Sequence, residues 1–215
     1  MQNGKPGNRN PETGKKENDR GGRMSERVRT FVAIELPEEV RAHLAAQQEA
    51  LARAGGEVRW VRVENIHLTL VFLGAVATER LGEVAEAVRR AAEGSGPIRL
   101  RVGGAGQFPP RGRPRVVWTA VEEPTGALER LQKRIAEATA PFAERIENRR
   151  YEAHLTLGRV RSARGTEVLA AAITEAAERT GPEFEAAEVV VFQSDLGPEG
   201  PAYTALAQVA LGKEF

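Results

Sequence analysis

The tetrapeptide His67-Leu68-Thr69-Leu70 recurs as His154-Leu155-Thr156-Leu157, and the two copies use two of the chain's three histidines. Polar and apolar residues alternate in both copies, which is the period of a half-buried strand. In a strand, His67 and Thr69 share one face while Leu68 and Leu70 share the other, and the second copy divides the same way. A single His-x-Thr says little, because a polar strand face is its commonest meaning. Two copies constrain the fold more tightly. They ask for two like strands, each held to a core by its leucines, with their His/Thr faces turned away from that core.

The flanking sequence supplies the rest of such units. Arg29 to Leu36 alternates, with Val32, Ile34 and Leu36 on one face and Phe31, Ala33 and Glu35 on the other. Pro37-Glu38-Glu39 opens a helix striped by Val40, Leu44 and Leu51 and stopped at Gly55-Gly56. Arg59 to Arg62 is a short extended piece before the first repeat strand, Ile66 to Leu73. Thr78 begins a helix bearing Leu81, Val84, Ala85 and Val88. Residues 97–104 and Arg115 to Val121 read as strands, separated by a Pro/Gly/Arg loop from Gly106 to Pro114. A third helix starts at Pro124-Thr125 with Leu128, Leu131, Ile135 and Ala138. The second repeat strand is Tyr151 to Val160. A fourth helix follows Gly165-Thr166, with Val168, Leu169, Ala172, Ile173 and Ala176 on its apolar side. Glu183 to Ser194 and Ala202 to Leu211 read as a closing hairpin.

This order predicts an α+β fold of two similar lobes. Each lobe is an antiparallel sheet with helices on its outer face, and pseudo-two-fold symmetry relates the lobes around a central cleft. The expected domain spans residues 28–215. Residues 1–27 are nearly free of apolar side chains and are expected to form a disordered tail, or an extension upstream of a start at Met24.

Composition narrows the chemistry. Of 215 residues, 41% are apolar and 28% charged, as in soluble globular proteins, and no run is long enough for a membrane span. The net charge of +1 demands no polyanionic partner. Only five of the 31 basic residues are Lys; Arg suits phosphate, but base composition explains the bias as well. Cys is absent, so disulfides, thiol nucleophiles and Cys-ligated metals are excluded, and a reducing cytoplasm is the expected location. With Thr, and not a third ligand type, beside each motif histidine, and only Asp19 and Asp195 in the chain, no metal or other cofactor is expected.

Two imidazoles and two hydroxyls facing one cleft suit in-line displacement at phosphorus. One ring takes a proton from the nucleophile, the other gives one to the leaving oxygen, and the hydroxyls hold non-bridging oxygens. Histidine fits because its unperturbed pKa lies near working pH. Residue chemistry alone leaves open which ring is the acid. Phe31, opposite Val32 and Ile34, is a candidate to stack a base, with packing between lobes as the equal alternative. Trp60, Trp118 and Tyr151 read as core or lobe-joining aromatics. Arg111, Arg113 and Arg115, like Arg149 and Arg150, fit an RNA backbone and a solvated loop equally. His43, in the first helix, is given no role.

The two His-x-Thr motifs resemble those of the 2H phosphoesterase superfamily. Three stretches, Arg29-Thr-Phe-Val-Ala-Ile-Glu-Leu-Pro37, Trp60 followed by Asn65-Ile-His-Leu-Thr-Leu-Val-Phe-Leu-Gly74, and His154-Leu-Thr-Leu-Gly-Arg159, resemble the RNA 2′,3′-cyclic phosphodiesterases, also called 2′-5′ RNA ligases. The resemblance runs from about Arg29 to the C-terminus. It implies a metal-independent enzyme, expected as a monomer, that opens a terminal 2′,3′-cyclic phosphate on RNA to a 2′-phosphomonoester, with 2′-5′ joining as the reverse sense. It implies His67 as proton donor, His154 as proton acceptor, Thr69 and Thr156 as phosphate holders, and Arg159 as charge stabiliser. Five residues after His154, Arg159 would fall on the wrong face of an ideal strand, and a bulge or a strand end near Gly158 would re-aim it. The competing readings are a phosphoesterase of small nucleoside or ADP-ribose cyclic phosphates, and a non-catalytic module that binds phosphorylated RNA ends.

Overall fold

The computed structural model describes residues 26–147, 149–198 and 200–212, together with Met1. The expected tail, residues 1–27, lies outside these apart from Met1, Glu26 and Arg27, and Arg27 already belongs to the first strand. In chain order the elements are β1 (Arg27–Ile34), α1 (Glu38–Ala54), β2 (Val58–Trp60), β3 (Leu68–Ala77), α2 (Leu81–Ala92), β4 (Ile98–Phe108), β5 (Val116–Glu122), α3 (Ala127–Thr139), β6 (His154–Val160), α4 (Thr166–Glu175), β7 (Glu183–Ala186), β8 (Glu188–Gly197) and β9 (Gly200–Ala210).

The strands make two antiparallel sheets. The first is four-stranded in the order β3-β1-β8-β9, and the second is five-stranded in the order β2-β6-β5-β4-β7. Helices α2 and α3 pack together over the first sheet, and α1 and α4 over the second. Apolar residues under the helices form one contiguous core beneath both sheets, including Val32, Ile34, Leu68 and Leu70 on one side and Leu44, Leu155, Leu157 and Leu169 on the other. The architecture is thus the expected pair of α+β lobes with outer helices and a cleft between the inner sheet faces.

The lobes are not the two halves of the sequence. β1 belongs to the first sheet, yet the helix that follows it, α1, covers the second. There, Gln48 of α1 hydrogen-bonds the carbonyl of Leu157 on β6 at 2.8 Å. β8 and β9 return from the far end of the chain to complete the sheet that β1 and β3 began.

Local chemistry explains most elements. α1 has Pro37 at its N-cap, Glu38 and Glu39 in its first turn, and Gly55 (φ 112°) at its end. Gly104 on β4 lets the C-terminal end of α4 lie against the strand; a Cβ there would fall 1.8 Å from the Ala177 carbonyl oxygen. Three expectations change in detail. The stretch from Glu183 is two strands, with β7 on the second sheet and β8 on the first. Four consecutive buried residues, Val189 to Phe192, hide that change, because both faces of β8 are covered. β4 extends through Phe108 into the supposed loop. Val168 on α4 points outward and is 56% exposed. No described helix is long and apolar enough to cross a membrane.

Candidate active site

Both motifs keep the face division that their alternation requires. Leu68, Leu70, Leu155 and Leu157 are buried under the helices, and the histidines and threonines between them are half-buried on the opposite face. β3 and β6 approach within 8 Å, Cα to Cα, and the Tyr151 hydroxyl, just ahead of β6, donates to the Thr69 carbonyl at 3.2 Å. The two His/Thr faces therefore look into one cleft. Neither threonine hydroxyl is bonded to another described residue, so both are free to meet a ligand.

Each imidazole is set by the same local bond. His67 Nδ1 lies 3.0 Å from the carbonyl of Asn65, and His154 Nδ1 lies 2.7 Å from that of Glu152, in each case two residues earlier. A carbonyl only accepts, so Nδ1 carries a proton in both rings, and Nε2 is turned away from that bond. The surroundings then differ. His67 stacks on Phe31 (centroids 4.7 Å apart, 25° between planes) and meets Tyr203 edge-on at 5.1 Å. Burial lowers its pKa to about 4, against the opposing bond to Asn65. His154 touches Phe108 edge-on at 5.2 Å and Trp118 at 6.1 Å. Trp118 reaches this place because its ring lies over Gly106, where a Cβ would fall 2.3 Å from it.

A bulge follows each motif at the same residue. On β3 the register with β1 jumps from Thr69 to Val71, leaving Leu70 unpaired; on β6 the register with β5 jumps from Thr156 to Gly158, leaving Leu157 unpaired. A glutamine from the overlying helix serves each bulged carbonyl. Gln132 of α3 donates to Leu70 O at 3.3 Å, and Gln48 of α1 donates to Leu157 O at 2.8 Å and also to Val61 O. The extra residue restores the next side chain to the His/Thr face. On β6 that residue is Arg159, the partner of Val116, in line with the Trp118–Thr156 and Ala120–His154 pairs. Arg159 and Arg29 both lie close enough to the Tyr203 phenol to oppose the rise in its pKa that burial causes. On β3 the corresponding residue is Phe72, 66% exposed and 6.0 Å from Phe31.

Phe31 sits on the cleft face, but the role of base platform does not suit it. It is 3% exposed, covered by His67, Phe192 at 5.2 Å and Tyr203 at 5.1 Å, so neither face of its ring is open. It is a buttress for His67, and Phe72 has the accessible ring. Tyr151 joins the lobes, Trp60 packs against the core, and Arg149 is paired with Glu147 at 2.7 Å. His43 is half-buried against Gly181 and Val102, away from the cleft. Sequence reasoning missed Tyr203, Phe108, Gln48 and Gln132. Tyr203 and Phe108 lie on strands whose inner face could be named only once the sheet order was known. The glutamines had one faint signal, a polar residue beside an otherwise apolar helix stripe.

The LigT like Phosphoesterase family matches the chain twice, over residues 34–118 and 119–203, with one HLTL in each match. The chain is 36% identical over 178 residues to an RNA 2′,3′-cyclic phosphodiesterase of Methanothermobacter thermautotrophicus, covering 83% of this chain and 96% of that protein. It is 33% identical to the enzyme of the same name from Archaeoglobus fulgidus, covering 82% of this chain and 96% of that protein. Among solved structures, TT0787 of Thermus thermophilus superposes with a TM-score of 0.71 at 30% identity over 87% of this chain and all (100%) of the other. E. coli LigT complexed with 3′-AMP superposes with a TM-score of 0.69 at 26% identity, over 86% and 99% of the two chains. Two matched repeats, each supplying one histidine and one threonine to a shared cleft, make this chain a member of the LigT-like phosphoesterase family.

Proposed function

We propose that the protein hydrolyses the 2′,3′-cyclic phosphate at the end of an RNA chain, leaving a 2′-phosphomonoester. Water attacks phosphorus as the bond to the 3′ oxygen breaks. His154 Nε2 takes the proton from water, and His67 Nε2 gives one to the departing 3′ oxygen. Thr69 and Thr156 hydrogen-bond the non-bridging oxygens, and Arg159 adds positive charge. With a 5′-hydroxyl in place of water as the nucleophile, the same steps open the cyclic phosphate, release the 3′ oxygen and join the two ends through a 2′-5′ bond. The observation that carries this reading is the matched pair of imidazoles, each with Nδ1 held by the carbonyl two residues earlier and Nε2 left free.

Burial keeps His67 neutral near pH 7. An anionic phosphate against Nε2 favours the charged ring, so on binding substrate His67 takes from solvent the proton that it then donates. All four motif side chains come from one chain, so a monomer in the cytoplasm suffices for the reaction. Support for the RNA substrate comes from the names of the relatives, and the 3′-AMP complex of LigT supports a nucleotide-sized site. His67→Ala or His154→Ala is expected to lower turnover of an RNA 2′,3′-cyclic phosphate by about a thousandfold or more with the circular dichroism spectrum unchanged. EDTA is expected to leave the rate alone. Full activity in either variant, or activity lost to EDTA and restored by a metal, would sink the mechanism.

A further inference from the structure

On the second sheet, Arg59 of β2 stands directly opposite Arg159 of β6. Register carries both onto the cleft face, since the same row continues to Val116 and the next rows hold Thr156 and His154. Cβ atoms of directly opposed residues lie about 5 Å apart, and like charges in that position destabilise a sheet. No described carboxylate forms a salt bridge with either guanidinium. Arg29, which acts on Tyr203 from the opposite wall together with Arg159, has none either. Three exposed arginines thus converge without a counter-ion among the described residues, two more than the proposed reaction assigns to the terminal phosphate.

The position of Arg59 separates it from the reacting phosphate. β2 is the outermost strand of its sheet, one strand beyond β6. The Arg59 guanidinium reaches toward the β8–β9 hairpin, where a Cβ on Gly200 would lie 3.3 Å from its nitrogen. That hairpin also ties back to the first motif, because Asn65 Nδ2 donates to Pro201 O at 2.8 Å and Asn65 O holds His67. Arg59 therefore stands at the edge of the cleft, between the outermost strand β2 and the β8–β9 hairpin.

We infer that Arg59 forms a second anion subsite that takes the phosphodiester on the 5′ side of the terminal nucleotide. This rests on the proposed reaction, and it makes the protein selective for polynucleotide ends over mononucleotide cyclic phosphates. A guanidinium gives two parallel donors to one phosphate, which a lysine cannot match.

The test uses the full chain and three substrates with the same terminal nucleotide. They are the mononucleotide 2′,3′-cyclic phosphate, the dinucleotide, and the dinucleotide with an uncharged methylphosphonate linkage. The native protein is expected to favour the charged dinucleotide in kcat/KM by about tenfold over the other two. Arg59→Gln is expected to erase that preference, with Arg59→Lys retaining part of it, and to reduce the salt slope of dinucleotide binding by about one. Equal rates for charged and uncharged dinucleotides, or equal losses on all substrates in Arg59→Gln, would overturn the subsite. Failure of the native protein to turn over any of the three would reject the proposed reaction instead. Titration with 2′-phosphorylated dinucleotides, charged and uncharged, would then still decide whether Arg59 reads the internal phosphate.

Discussion

The two catalytic candidates share a hydrogen bond and differ in burial, and the difference has measurable consequences. An unfolded histidine binds its proton near pH 6.5, but folded His67 binds it only near pH 4. Between those values the unfolded chain holds more protons, so acidification favours unfolding. Stability carried by the neutral ring is complete above pH 6.5 and drains away as pH falls toward 4, by about 3 kcal/mol in all. Chemical denaturation of the native protein and of His67→Gln across that range checks it, since the variant should lose less stability on acidification. Roles in catalysis need a different probe, because a bell-shaped pH profile does not say which ring donates. A substrate with sulfur replacing the departing 3′ oxygen leaves as a thiolate and needs little help from an acid. Sulfur is expected to restore turnover to His67→Ala and not to His154→Ala. Rescue of the opposite variant would exchange the two roles.

The bulges matter at the scale of the element. In each repeat strand a leucine skipped by one neighbouring strand is tied to a glutamine of the covering helix, Leu157 O also accepting from Val61 N–H at 2.9 Å, and the strand resumes with its faces shifted. Gln48→Met leaves the Leu157 and Val61 carbonyls without that donor, and is expected to cost about 1–2 kcal/mol in urea unfolding while lowering kcat/KM through a misplaced Arg159. Gly158→Ala tests the same device sterically, since its Cβ would meet Val58 Cγ1 at 2.6 Å and Trp60 Cε3 at 3.0 Å. A loss of about 1–3 kcal/mol is expected. The His/Thr and Leu faces could be read from the sequence because side-chain direction in a strand depends only on spacing. The bulges could not, because an unpaired backbone group leaves no mark in side-chain period; Gly158 was the one hint. The burial of Phe31 could not be read for a related reason. Its face was legible, but the rings that cover it come from β8 and β9, more than a hundred residues away in the chain.

At the scale of the whole molecule, the order of elements was legible and their distribution between lobes was not. Repetition in sequence suggests two units that could be separated, and the family match itself divides the chain near residue 118. The sheets are built otherwise. A cut in the turn between β5 and α3 takes β8 from beside β1 and β6 from beside β5. Each central strand becomes a bare edge, open to aggregation. Half-chains expressed alone are therefore expected to be insoluble, and half-chains expressed together should recover cyclic phosphodiesterase activity; a soluble, folded half would contradict this. The interleaving also bears on how such a protein can change over generations. Neither repeat can be lost, traded or duplicated again without dismantling both sheets. On the cleft face the two copies differ, one carrying Phe72 and the other Arg159. An ancestral repeat of this kind is free to specialise its halves but not to part with either.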